Sequence, residues 1–353
     1  MQADAECLRC EDETLIKYNR HFCSAEGDIV LGSRDGIYFR IHSFTLKMAS
    51  GWFRAMLSLP QRPGSLTPSG SQTGRALTGR PSTPLPPHDP SPPAKTFGDW
   101  LPHADKSRSS SSLSFDNTIY VDEDSTTLEG LLRMISGLPI PKLDSYEMIE
   151  PILFAAEKYD MPGPPSIIRA IIMTGPFIKD PLRLYALCCL YGWEREAKEA
   201  SAKTLSLNLH NSQHRSNLQK LNTDAILNLF ELHHNRRETL RKRLNEPPFV
   251  NDTGDASCSH CGATVNYQTW RELKMVIVLE MDNRPLGDTV LNVGLNDWPS
   301  ARACWNAKCS HCDRVLYDKK ETLRAVKECI DQLPSSVEFT PLDPLSAPFS
   351  TES

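Results

Sequence analysis

Residues 28–41 read DIVLGSRDGIYFRI, in which two short runs of β-branched and aromatic residues flank an Asp-Gly pair. Such runs favour β-strands, and an Asp-Gly pair between them is a strong signal for a hairpin turn. The sequence therefore predicts an antiparallel hairpin of residues 28–31 and 37–41.

Helical patterns follow this hairpin. Residues 42–49 and 50–57 carry apolar side chains at helical spacing, and Ser50 is a candidate N-cap for the second helix. Residues 118–121 then predict a third strand. Thr126 and Glu129 have the spacing of a capping box at the start of a helix, and Gly137 is suited to end that helix.

Two more helices are predicted before residue 175. Asp144 with Glu147 indicates the start of the first, which contains Pro151, and the second is expected at about residues 165–173. Strands followed by clustered helices are typical of an α+β domain, in which the helices gather against a small sheet. We therefore expect an α+β fold for this half of the chain.

The order of these motifs resembles a BTB (POZ) domain. The resemblance is carried by GDIVL at 27–31, DG at 35–36, FRIH at 39–42, FRAML at 53–57 and LFAAEKYDMPG at 153–163. It covers residues 24–175 and implies the BTB fold, homodimerisation and recruitment to a cullin-type ubiquitin ligase scaffold. Residues 1–23 are then expected to form an N-terminal tail.

Residues 60–116 differ in composition from their surroundings. They contain eleven of the 27 prolines and end in a serine-rich run, so they lack the apolar surface that would offset the entropy cost of ordering. We interpret them as a disordered insertion in the BTB-like domain. Phe97, Trp100 and Leu101 within it are either a docking motif or part of an unbound segment.

Residues 178–246 are predicted to be entirely helical, similar to the BACK-like extension that follows many BTB domains. One predicted helix has apolar residues at a 3.6-residue period: Leu182, Tyr185, Ala186, Cys189 and Leu190. The last helix is expected to start near Asn222 or Thr223. Its end carries a basic run, which more often forms a solvated face than a nucleic-acid contact. That run consists of Arg236, Arg237, Arg241, Lys242 and Arg243.

A cysteine-rich module is expected at residues 256–334. The sequence CSHC at 258–261 recurs at 309–312. Each C-x-x-C turn can direct two thiolates at one ion, and two such turns supply the four thiolates of a closed structural zinc site. The ligands predicted for one structural Zn²⁺ in a small zinc-ribbon-like module are Cys258, Cys261, Cys309 and Cys312. A site filled by four protein ligands has no open position for catalysis.

Several interpretations of this module remain open. The two pairs are further apart than in a compact ribbon, so the chain between them must return to the site. Residues 267–281 within it could form a helix or a strand. Cys304 is a spare ligand, and His260 or His311 could replace a thiolate. Free thiols and a dithiol redox centre are the remaining alternatives.

Charge and hydropathy exclude several classes of protein. The chain has 39 basic and 44 acidic residues and a net charge of −5, so it has no global positive field for a phosphate backbone, and nucleic-acid binding is disfavoured. It shows no secretory signal and no apolar run of membrane-spanning length. We expect an intracellular protein, cytoplasmic or nuclear, with mostly reduced cysteines and a C-terminal tail at 335–353.

The motif search favours a binding protein over an enzyme. The sequence has no phosphate loop, no HExxH, no GxSxG and no dinucleotide fingerprint. The leading hypothesis is a protein-interaction adaptor or scaffold that acts through its BTB-like domain, as a substrate adaptor for a cullin-type ligase. The alternative hypothesis is a BTB-type transcription regulator that contacts nucleic acid through the zinc module or the basic helix.

Overall fold

The computed structural model describes residues 7–11, 14–59, 118–251, 257–292, 295 and 297–339. The chain divides into two compact units, residues 1–136 and 137–353. Because this division falls inside the expected BTB-like range of 24–175, the domain boundaries given above stay predictions. The insertion predicted at 60–116 and residues 340–353 of the predicted tail lie outside the described residues.

The first unit contains a five-stranded sheet within its described residues. The strands are β1 (Cys7–Glu11), β2 (Thr14–Tyr18), β3 (Ile29–Gly32), β4 (Tyr38–Ile41) and β5 (Thr118–Tyr120), and their spatial order is β1-β2-β4-β3-β5. Strands β3 and β4 form the predicted antiparallel hairpin, and β5 lies parallel to β3. The mixed α+β character is therefore confirmed.

Strands β1 and β2 occupy residues for which a tail was expected. They pair antiparallel, with Cys7 opposite Tyr18, and β2 joins the sheet in parallel through Tyr18 and Tyr38. The tail prediction was wrong here because such short apolar runs give too few residues for a periodicity to be recognised.

Three helices complete the described part of the first unit: α1 (Ser43–Ala49), α2 (Gly51–Met56) and α3 (Ser125–Ile135). The prediction that Ser50 caps α2 is confirmed, because its hydroxyl accepts a hydrogen bond from the Phe53 N–H. The core of this unit draws on two strands and all three helices. Its almost fully buried side chains include Leu31, Phe39, Leu46, Phe53, Leu128, Leu131 and Leu132.

The predicted capping box of α3 was wrong. The N-cap is Asp124, whose carboxylate accepts a hydrogen bond from the Thr127 N–H at 2.8 Å. Glu129 instead accepts hydrogen bonds from Asn19 and Arg133. Gly137 follows the end of α3 with a positive φ of 67°, as its predicted role as a helix stop requires.

A carboxylate immediately before β3 caps α1. Asp28 accepts hydrogen bonds from the N–H and the hydroxyl of Ser43, both at 2.6 Å, whereas the N-cap residue His42 makes no side-chain cap. These two bonds lower the pKa of the Asp28 carboxyl. The beginning of β3 is thereby tied to the beginning of α1.

In the described part of the second unit, the regular secondary structure consists of helices and two isolated bridges. Its helices are α4 (Tyr146–Lys158), α5 (Gly163–Ile171), α6 (Pro181–Leu190), α7 (Glu194–Thr204), α8 (Arg215–Leu218), α9 (Thr223–Arg243), α10 (Gln268–Asn283), α11 (Asp288–Leu291), α12 (Pro299–Trp305) and α13 (Lys319–Asp331). The predicted all-helical character of 178–246 is thus confirmed. The expected zinc-ribbon-like character of the module extends only to its two cysteine turns.

Of the two helix starts predicted in this unit from capping residues, one was correct and one was wrong. Asn222 caps α9 through a hydrogen bond from the Ala225 N–H, as expected. Asp144 does not cap α4, because it pairs with Lys142 and the N-cap position belongs to Ser145. The ambiguous run at 267–281 is helical in α10.

The described part of the predicted C-terminal tail is anchored. Val337 is 2% exposed, and its N–H donates a hydrogen bond to the Ser201 hydroxyl on α7 at 3.0 Å. The tail prediction was therefore wrong for this residue, because a single apolar side chain among polar neighbours gives no periodic signal.

Candidate metal centre

The first cysteine turn is a closed knuckle. An isolated β-bridge joins Ser257 and Thr264. Inside it, the Cys258 N–H donates to the Ala263 carbonyl at 2.8 Å, and the Gly262 N–H donates to the Cys258 carbonyl at 2.9 Å. Gly262 has a φ of +72°, a conformation that glycine adopts without steric cost. This turn sets both cysteines on one side of the loop.

The second turn repeats these contacts position by position. A bridge joins Lys308 and Val315, the Cys309 N–H donates to the Arg314 carbonyl at 2.8 Å, and the Asp313 N–H donates to the Cys309 carbonyl at 2.9 Å. Asp313 takes the left-handed position with a φ of +55°, which Asp tolerates better than most residues. The recurrence of CSHC in the sequence is therefore a recurrence of structure.

The two turns bring all four predicted ligands together. The Sγ atoms of Cys258, Cys261, Cys309 and Cys312 lie within 4.8 Å of one another. Two pairs across the turns, Cys258–Cys312 and Cys261–Cys309, are each 3.7 Å apart. Sulfurs bound to tetrahedral zinc at about 2.3 Å lie about 3.8 Å from one another, and a disulfide would need about 2.05 Å. The spacing fits a metal centre of four thiolates.

Helices hold the turns in place. The first turn leads directly into α10 and the second into α13. Tyr267 and Tyr317, which follow the two turns at nearly equivalent positions, contact each other edge to face with ring centres 5.5 Å apart. The Tyr267 hydroxyl also donates to the Ser257 carbonyl at 3.3 Å. The chain between the turns thus returns to the site through helical packing.

One apolar core supports this arrangement. It combines the end of α9 with α10, α12 and α13. Its most deeply buried members are Leu240, Leu244, Leu273, Ile277, Met281, Val290, Ala301 and Cys304. The cysteine-rich module therefore shares its core with the helical extension that precedes it.

Main-chain N–H groups favour negative charge on one thiol of each turn. The N–H groups of His260 and Cys261 lower the pKa of the Cys258 thiol to about 6. In the second turn, the N–H groups of Cys312 and His311 likewise lower the pKa of Cys309.

The Cys261 thiol resists ionisation when no cation is present. At Cys261, the Ala263 N–H lowers the pKa, but desolvation by the neighbouring sulfurs and hydrogen bonds with the other three thiols outweigh it and raise the pKa to about 12. Four sulfurs this close cannot all be negative without a cation between them. The donor set is therefore complementary to a thiophilic divalent ion.

Other candidate ligands lie outside this group. The four-thiol cluster includes neither Cys304 nor either turn histidine, His260 or His311. Cys304 is fully buried in the apolar core, and burial raises the pKa of its thiol to about 12. Cys188, in α6, is likewise a buried thiol outside the cluster.

The basic run on α9 is not a solvated face throughout, as had been expected. Arg236 is 4% exposed, and burial lowers the pKa of its guanidinium. It donates to the main-chain carbonyls of Pro285 at 2.7 Å, Leu286 at 3.2 Å, Leu333 at 3.4 Å and Pro334. The prediction failed for Arg236 because carbonyl acceptors in distant loops leave no trace in the sequence.

Three other arginines of the basic run also bind side chains of the protein. Arg237 pairs with Asp282, Arg241 pairs with Glu238 at 2.8 Å, and Arg243 donates to Gln332. Only part of the positive charge of α9 is therefore available to a phosphate.

An apolar groove of about 410 Å³ lies on the second unit, between α4 and α6. Phe154 of α4 is 67% exposed and Leu190 of α6 is 68% exposed. Leu187 and Tyr191 line the groove between them, and Lys220 stands at its edge. Leu190 was expected to be buried with the apolar period of its helix. The only sequence signal for Phe154 was a large apolar residue outside the buried stripe of α4.

Compared with models of known protein families and with curated proteins, the chain matches none. In the part of the chain that the structure describes, no helix combines the length and the apolar character needed to cross a bilayer.

Proposed function

We propose that this protein is a non-enzymatic interaction adaptor whose N-terminal part is a BTB-type domain. The resemblance in sequence motifs supports this, as does the order of hairpin, two helices, strand and further helices. The observation that carries the proposal is the groove between α4 and α6. Large apolar side chains are exposed there together, and clustered exposed apolar side chains are typical of surfaces that bind a partner.

The partner proposed for this groove is a cullin-type ligase scaffold. Phe154 and Leu190 would supply most of the binding energy, because burying such side chains contributes about 1.5–3 kcal/mol each. A second apolar surface, formed by the exposed Phe44 and Met48 one turn apart on α1, supports the proposed homodimer.

The four-cysteine centre is proposed to bind one zinc ion with a structural role. Four thiolates complete a tetrahedral shell, so the ion would fix the two turns and, through them, α10 and α13. The alternative role as a transcription regulator receives less support, because the arginines of α9 are largely held by the protein itself.

A cullin pull-down with purified full-length chain tests the adaptor. The unmodified protein should recover a cullin-type scaffold, and the double substitution Phe154→Ala with Leu190→Ala should weaken recovery at least tenfold. Met275→Ala is the matched control, because Met275 is similarly exposed but lies on α10.

Light scattering separates the two parts of the proposal. A dimer without cullin binding would remove the ligase role and keep the scaffold role. A monomer that recovers no cullin would overturn the adaptor altogether.

A further inference from the structure

The four thiols differ in their access to solvent. Cys258 and Cys309 are buried, whereas Cys261 and Cys312 reach the surface. Each of the two 3.7 Å pairs, Cys258–Cys312 and Cys261–Cys309, therefore joins one accessible sulfur to one buried sulfur. An accessible thiolate can react with an oxidant from solvent, and a buried partner in contact with it can complete the reaction.

We propose that this centre exchanges its metal ion for two disulfides, Cys258–Cys312 and Cys261–Cys309, when it meets a hydroperoxide. The proposal rests on the zinc occupancy proposed above and names a regulation of that same site. The result would be peroxide-driven release of zinc from a protein that stays folded.

The chemistry balances with hydrogen peroxide as the oxidant. The Cys261 thiolate attacks one peroxide oxygen; an S–O bond forms, the O–O bond breaks, and the leaving hydroxide takes a proton to become water. The Cys309 thiolate then attacks the sulfenic sulfur of Cys261, so that an S–S bond forms, the S–O bond breaks, and a second water leaves. Cys312 and Cys258 repeat these steps. Two peroxides and four protons thus yield two disulfides, four waters and the free ion.

The fold can accommodate this exchange because the new bonds replace the constraint that the ion provided. Each pair must close from 3.7 Å to about 2.05 Å. The bridges would connect the first turn to the second, as the ion does, while the backbone bonds that close each turn do not involve the sulfurs. The edge-to-face contact of Tyr267 and Tyr317 lies beside the turns and also stays available.

Cys304 is the matched control within the same module. Its thiol is fully buried in the apolar core and lies outside the sulfur cluster. Cys304→Ser should therefore leave both the release of zinc and the pattern of disulfides unchanged.

The experiment uses the zinc-loaded full-length chain and hydrogen peroxide. Metal content is measured first, release is followed with a zinc-sensitive dye, disulfides are mapped by peptide mass spectrometry, and helix content is followed by circular dichroism. We expect one zinc released per two peroxides, bridges between positions 258 and 312 and between 261 and 309, and at least nine-tenths of the helical signal retained.

The outcomes distinguish the two proposals. A purified chain without zinc would refute the metal occupancy, and this inference with it. Zinc that stays bound under peroxide would overturn the inference alone. So would disulfides confined within each turn, or release that occurs only as the helical signal is lost.

Discussion

At the scale of single residues, Arg236 shows how one buried charged side chain can connect distant segments. A buried guanidinium without a carboxylate is costly unless its donors find acceptors. Here carbonyls from two separate loops, one after α10 and one after α13, supply them. The side chain thereby joins three parts of the second unit that are far apart in sequence.

Replacing this arginine should reveal that role. Arg236→Met keeps much of the volume but leaves the carbonyls without donors, so we expect the free energy of unfolding to fall by about 3 kcal/mol. Arg241→Met on the same helix removes only an exposed pair and should change it by less than about 0.5 kcal/mol. Urea unfolding of both variants measures the difference. Equal effects would contradict the role assigned to Arg236.

The sequence predicted the clustered cysteines but not the environment of the arginines. The four cysteines of the candidate site were recognisable because each C-x-x-C turn is a local motif. The burial of Arg236 and the exposure of Leu190 depend on which loops and helices come near. Composition and periodicity do not contain that information.

At the scale of elements, the ends of helices are fixed by contacts that cross the sequence. Helix α2 is capped by Ser50, the residue immediately before it, so its cap could be predicted. Helix α1 is capped by Asp28, fifteen positions before Ser43. The periodicity of the apolar residues therefore predicted which segments are helical better than it predicted what begins them.

The cap at α1 should contribute to stability in a pH-dependent way. Asp28→Ala is expected to cost about 1–2 kcal/mol at neutral pH. Because the folded carboxyl has a pKa below its usual 3.8, its contribution is present above that value and is lost as the pH falls through the folded pKa. The variant and the unmodified chain should therefore converge in strongly acidic solution.

Denaturant unfolding across a pH series measures this effect. Glu26→Ala is the control, since Glu26 is exposed nearby and its carboxylate forms no hydrogen bond or ion pair with a described residue. A cost for Asp28→Ala that persists unchanged in acid would show that the carboxylate does not act as a charged cap.

At the scale of the whole molecule, the two compact units differ in what stabilises them. The first has a sheet and an apolar core, whereas the second adds the four-thiol centre to a helical core that includes the end of α9. The α+β class followed from the order of strands and helices. The core shared by α9 and the cysteine-rich module could not be predicted from that order. It depends on packing between segments that are distant in sequence.

Removal of the proposed zinc ion should therefore act on one unit. With zinc withdrawn by a chelator, we expect hydrogen exchange to rise in α10 and α13 and to remain slow in β3 and β4, because all four ligands and the core beside them belong to the second unit. Exchange mass spectrometry with and without chelator measures it. Equal protection of α10 in the two conditions would contradict a stabilising ion.

The anchoring of Val337 on α7 also has a mechanical consequence. After α13 the chain passes the carbonyls held by Arg236 and then reaches the Ser201 hydroxyl. Tension applied to the polypeptide beyond residue 339 would load this hydrogen bond and the buried valine first, and the guanidinium next. The cysteine turns come earlier in the chain than both contacts. A pull on that end would therefore be resisted by the helices before it reached the four-thiol cluster.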